Sequence, residues 1–266
     1  MVIRQLRLAN QFTIRSRWKP REESPAELGQ RMLRYVDAIS PIHPAFRDWK
    51  FLDLSRDPME MTKENIETFL CPLEEARPRM ADVVVVAGAE KDDDGSPEPG
   101  YGYNIVVGND SPDPSQRISL SAHGGGDVSW VGTPRHASFE TNMAHEADPA
   151  IVSYPLFKSV LMAIISSWGV DYAQVFSRDL AQCWTDSHPI CDLSWMVYLS
   201  APLARRITIP ADVVVERLAD GGLIMIAAEE TFDVANPKHL AGAHSILNAL
   251  APLNAEESER IAKSGW

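Results

Sequence analysis

Residues 17–50 read RWKPREESPAELGQRMLRYVDAISPIHPAFRDWK, and a helix sits inside them with both ends written out. Ser24 accepts the N-cap role, Pro25 fits the first helical position, and Glu27 three residues after the serine completes a Ser-x-x-Glu capping box. Leu28, Met32, Tyr35, Val36 and Ile39 recur at helical spacing, so one face is apolar and packs on a core. The helix ends before Pro41, and a Trp flanks each end of the stretch, Trp18 and Trp49.

Upstream, residues 2–15 alternate in part, with Ile3, Leu6, Leu8, Phe12 and Ile14, and predict one or two opening strands. Downstream, a short helix is expected after Thr62, with Ile66, Phe69 and Leu70 inward. Residues 81–87 and 101–107 read as strands around an acidic, Gly- and Pro-rich loop, GAEKDDDGSPEPG. Another strand is expected over Arg117–Ala122, then a tight turn at the glycines of 124–126, then a polar irregular stretch over 133–150. Ser153–Trp168 predicts the most apolar helix. Asp171–Phe176 and Leu193–Leu199 predict strands, with a short helix at Asp179–Trp184 between them. Val213–Leu218 and Leu223–Ala228 flank Ala219-Asp220-Gly221-Gly222, a hairpin pattern. Asn236 and Pro237 open a last helix with Leu240, Ala243, Leu247 and Leu250 inward, and the polar residues 254–266 are expected to fray.

Strands fall beside one another as hairpins as well as beside helices. That predicts an α+β fold, a mostly antiparallel sheet with amphipathic helices packed on it, rather than a doubly wound one. One domain over 1–266 is expected, with a division into lobes 1–110 and 111–266 left open.

The chain carries 37 acids against 25 bases, a formal net charge of −12. Direct binding of nucleic acid or anionic lipid needs a basic face and is not expected; the charge permits a basic protein partner, whose association it would steer, and solubility is its simpler reading. Three cysteines, Cys71, Cys183 and Cys191, are too few for a disulfide framework and fit a reducing compartment. No apolar run approaches membrane-spanning length, and the N-terminal residues lack an export pattern, so a cytoplasmic protein is expected.

No catalytic constellation stands out. His123-Gly124-Gly125-Gly126 resembles an oxyanion-hole run, but no Gly-x-Ser-x-Gly elbow supplies the nucleophile. Cys183, His188 and Cys191, with Asp186 between, are soft or borderline ligands in a spacing that matches no common zinc pattern, and buried thiols are the simpler reading. His145-Glu146 lacks the second histidine of a zinc-protease helix, since Pro149 stands there. No phosphate-binding loop or dinucleotide fingerprint is present, and no cofactor or metal is expected. An enzyme reading would centre on His123, Asp127 and His136 as a hydrolase; a generic adaptor or scaffold is another reading.

The acidic loop carries the binding hypothesis. Glu90, Asp92, Asp93, Asp94 and Glu98 crowd a short segment whose one base is Lys91, which suits either a solvated loop or an arm that steers a basic partner. Trp130 beside the glycine run is the tryptophan expected to be exposed, and so a candidate anchor.

The ordered set Trp18-x-Pro20-Arg21-x-x-Ser24, amphipathic helix, Ile42-x-Pro44-x-Phe46-x-x-Trp49 resembles the immunity protein 52 family. Further blocks extend the resemblance across nearly the whole chain: Trp168 before the strand at Asp171–Phe176, Trp195–Ser200, Pro202, Gly221-Gly222 and Phe232-Asp233 before Asn236-Pro237. The resemblance implies a bacterial immunity protein, without enzyme activity of its own, that binds and silences a cognate toxin delivered by type VI secretion. It further implies that the toxin is a nuclease of restriction-endonuclease fold. It transfers no catalytic residues.

Overall fold

A computed structural model describes residues 11–19, 21, 23–51, 59–60, 62, 103–124, 135–142, 144–184 and 188–263. The strands are β1 (Phe12–Arg17), β2 (Trp49–Phe51), β3 (Met59–Glu60), β4 (Tyr103–Asn109), β5 (Ile118–Gly124), β6 (His136–Thr141), β7 (Tyr172–Ser177), β8 (Met196–Leu199), β9 (Val214–Arg217) and β10 (Leu223–Ile226). They form one sheet in the order β3-β2-β4-β5-β6-β1-β7-β8-β10-β9. Every described pairing is antiparallel. The helices are α1 (Pro25–Ile39), α2 (Tyr154–Trp168), the single turns α3 (Arg178–Ala181) and α4 (Ala201–Ala204), and α5 (Pro237–Lys263). The fold is α+β, as the sequence predicts.

Period-two alternation builds the sheet's apolar face. Phe12 and Ile14 of β1, Leu120 and Ala122 of β5, Ala137 and Phe139 of β6, and Ala173 and Val175 of β7 are all buried. On this face lie Leu28, Met32, Tyr35 and Ile39 of α1 together with Phe157, Val160, Leu161 and Ile164 of α2. Each such Leu, Ile or Phe contributes about 2 kcal/mol of burial free energy. At the other end of the sheet the alternate residues Val197, Leu199, Leu223 and Met225 form a second buried cluster with Ile246, Leu250 and Leu253 of α5.

The capping box at α1 is complete: the Glu27 amide donates to Ser24 Oγ, and the Ser24 amide donates to the Glu27 carboxylate at 2.7 Å. The β9–β10 hairpin closes through Leu218, whose amide donates to the Gly222 carbonyl while the Gly221 amide donates to the Leu218 carbonyl. Gly221 sits at φ 85°, where a side chain would be strained.

Three expectations are corrected. Residues 136–141 are not irregular: β6 is a central strand between β5 and β1, its polar composition reflecting a strand whose alternate residues leave the apolar core. Gly124 is not a turn residue but the end of β5; a Cβ there would stand 2.9 Å from Leu28, so its glycine serves close packing. The C-terminal tail does not fray at 254, because α5 continues to Lys263 through an internal Pro252. Asn254 holds it down: its side-chain oxygen accepts from the Ile190 and Cys191 amides and its nitrogen donates to the Cys191 carbonyl. The expected strand at 81–87, the helix after Thr62 and the opening residues 2–10 lie outside the described residues.

Candidate functional site

Three of the residues that carried the sequence resemblance, Trp18, Arg21 and Trp168, meet around one buried carboxylate. Trp18 leaves β1, and its indole stacks on that of Trp168 at the end of α2, with centroids 5.4 Å apart and planes 14° from parallel. Arg21 lies over the Trp18 ring at 5.1 Å, a cation–π contact, and donates to the Trp168 carbonyl at 2.7 Å. Glu23, 5% exposed, takes Arg21 Nε at 3.1 Å and Arg31 Nε at 2.5 Å on the same oxygen. These are ion pairs without aligned hydrogen bonds. Arg31 also donates to the Ser167 and Trp168 carbonyls, so two guanidinium groups close the negative end of α2. This cluster ties β1, α1 and α2 together. Its chemistry is that of a joint: both arginines are engaged, and the carboxylate faces away from solvent.

The opposite side of the central strands is polar. His123 of β5 and His136 of β6 are cross-strand partners, with ring centroids 6.2 Å apart and planes 10° from parallel. One row along, the hydroxyls of Ser121 and Ser138 share a 2.8 Å hydrogen bond, and Arg15 of β1 lies 5.6 Å over the ring of Phe176. Two of the three residues of the hydrolase alternative are thus brought side by side. Asp127 lies outside the described residues, as do Glu90, Asp92, Asp93, Asp94, Glu98 and Trp130.

The cysteine segment is a structural lock. Gln174 Oε1 accepts from the Cys191 thiol, the Asp192 amide and the Ser194 hydroxyl. Burial pushes the Cys191 thiol up to about 12, so it is neither a thiolate nucleophile nor a ready metal ligand at neutral pH. Burial likewise raises the Asp192 carboxyl, against the amide of His188 and the charges of His188, Arg15 and Arg17, which lower it. Tyr172, pushed up to about 12 by burial, donates to the Pro189 carbonyl beside Arg17. Cys191 is the buried thiol the sequence predicts, but Cys183 is not: it is exposed, with its thiol on the Asp179 carbonyl. Among the described residues no group of three or more His, Cys, Asp or Glu is placed to hold a metal ion. Nor is any described helix long and apolar enough to cross a membrane.

A family model of immunity protein 52 matches residues 11–253. The chain belongs to the immunity protein 52 family. In this immunity protein the matched region runs from the residue before β1 into α5, and so takes in both buried clusters and the Glu23 joint. No curated protein matches the sequence. Among solved structures, the Pseudomonas aeruginosa T6SS protein PA0821 is similar to 90% of this chain and 72% of its own, at 11% identity and a TM-score of 0.39, a likeness too distant to carry an argument.

The sequence reading found Trp18, Arg21 and Ser24 but missed Glu23, which pairs with Arg21, and Arg31, which pairs with Glu23. It also gave β9 no role beyond a hairpin. Position in the sheet order is set by long-range pairing, and β9 occupies its outer end.

Proposed function

We propose that this immunity-family chain is a stoichiometric antidote that binds a nuclease toxin delivered by type VI secretion and holds it inactive without turnover of its own. The observation that carries the reading is the family match over residues 11–253. The net charge of −12 supports a nuclease as the target, because a nuclease presents a basic groove to nucleic acid. In this reading Glu90, Asp92, Asp93, Asp94 and Glu98 raise the association rate, and Trp130 is an anchor. The complex works where the toxin would act, in the cytoplasm.

Co-purification with the product of the adjacent gene, then a nuclease assay with and without this protein, tests the proposal. A stable complex with cleavage abolished at equimolar ratio is expected. Cleavage that persists within a stable complex removes the nuclease-inhibitor part.

The neighbouring imidazoles of His123 and His136 favour one second reading, a hydrolase. It requires a turnover that His123→Ala abolishes while the fold is retained.

A further inference from the structure

Strand β9 ends the described sheet, pairing with β10 and with no other described strand. The hairpin geometry fixes which of its backbone groups face outward. Leu218 forms the hydrogen-bonded pair at the turn, Arg217 stands across from Leu223, Glu216 from Ile224, Val215 from Met225 and Val214 from Ile226. Antiparallel pairs alternate between hydrogen-bonded and non-hydrogen-bonded. Glu216 and Val214 therefore spend their N–H and C=O groups on β10. Those of Val213, Val215 and Arg217 point away from the sheet, and among the described residues none makes a hydrogen bond on that side.

The side chains add to this. Val214 is the large apolar side chain left exposed among the described residues, at 37%. Glu216 is drawn inward to Lys158 of α2. Arg217 is exposed and has no ion pair among the described residues. An open row of backbone groups, an apolar side chain and a free cation form a template for an added strand.

A second copy fits this template poorly. Two-fold pairing about Val215 would set Val214 against the partner's Glu216 and Arg217 against the partner's Val213; pairing about Val214 would match that valine with itself but set Glu216 against the partner's Asp212, and neither register gives Arg217 an acid. A foreign segment can match both. We propose that β9 is a docking edge for an extended segment of the toxin, one that places an apolar residue across from Val214 and an acidic residue across from Arg217. The inference rests on the antidote reading above and deepens it by naming an interface.

The test uses the full chain, the purified toxin of the adjacent gene and two variants. Val215→Pro removes one outward N–H, a change an edge strand tolerates, and leaves the β10 ladder intact. It is expected to weaken toxin binding about tenfold or more, with the fold retained and the unfolding midpoint lowered only by the packing that Val215 makes on the second buried cluster. Arg217→Glu is expected to weaken binding too, and more at low salt than at high salt. Amide hydrogen exchange reads the edge without any variant: in the complex the Val215 and Arg217 amides become protected, while those of Val214 and Glu216 are protected already. Unchanged affinity in both variants, or unprotected Val215 and Arg217 amides in the complex, overturns the docking edge and leaves the antidote reading standing. A wild-type dimer that Val215→Pro dissolves assigns the edge to a second copy and overturns the proposal. Failure of the wild-type chain to bind the toxin overturns both.

Discussion

Trp18 and Trp168 stack 5.4 Å apart across the junction of β1 and the end of α2, and Tyr35 of α1 meets Trp168 edge-on at 6.5 Å. The neighbouring elements β1 and α1 are thus joined to the distant α2 by two aromatic contacts, bordered by the Arg21–Glu23–Arg31 ion pairs. Trp168→Ala removes a fully buried ring and is expected to cost about 3–5 kcal/mol of stability, read from denaturant unfolding. Tyr35 gives the opposite sign. Its hydroxyl is buried with no hydrogen-bond partner among the described residues, and burial raises its pKa well above the ordinary value. Tyr35→Phe is expected to stabilise the fold by about 1 kcal/mol. Destabilisation would show that the hydroxyl is bonded in solution.

The capping box predicts a pH dependence. The Ser24 amide and hydroxyl hold the Glu27 carboxyl below its ordinary value of 4.5. A folded-state pKa below the unfolded one gives stability that is present above about the ordinary value and is lost as pH falls through the folded one. Glu27→Gln keeps the box and removes the charge. The difference in unfolding midpoint between wild type and this variant is expected to shrink between pH 6 and pH 3. A difference constant over that range would exclude Glu27 from the acid response.

Residues 254–263 close the second buried cluster through Asn254, which makes three hydrogen bonds to residues 190 and 191. Asn254→Ala leaves two buried amides and a carbonyl without partners, and about 2–4 kcal/mol of stability should go with them. Thermal unfolding of this variant measures it. A loss under about 0.5 kcal/mol, typical of an unconstrained surface position, would mean that the tail is not anchored there.

The proposed role of the acidic residues 90–98 predicts a kinetic effect. Reversing Asp92, Asp93 and Asp94 to Lys should slow association with the toxin and flatten the dependence of that rate on salt, because rim charges act mainly on encounter. Stopped-flow association at several ionic strengths reads this. Equal rates and equal salt slopes would take these acidic residues out of the encounter surface.

Local chemistry was legible in the sequence where it is self-contained. Ser24, Pro25 and Glu27 name the start of α1, and Asn236 and Pro237 that of α5, because capping groups act within a turn of their own backbone. The hairpin at Ala219–Gly222 was readable for the same reason. β6 was not, because Ala137 and Thr141 are weakly apolar, so Phe139 is the one large apolar residue on its inward side, and pairing with β1 and β5 makes it a strand. The polar tail misled in the same way: Asn254 looks like a fraying residue until its partners at 190 and 191 are brought to it. The family blocks pointed to the Trp18–Trp168 joint, which is architecture, whereas the edge at β9 follows from sheet order alone.

The most direct measurement of the central claim is isothermal titration of the purified chain into its cognate toxin, followed by the toxin's cleavage assay across the same ratios. The account predicts saturable binding at a fixed stoichiometry, a Kd at or below about the nanomolar range expected of a long-lived inhibitor, and cleavage lost in step with occupancy. Binding absent at micromolar concentrations, or cleavage undiminished at full occupancy, would contradict it.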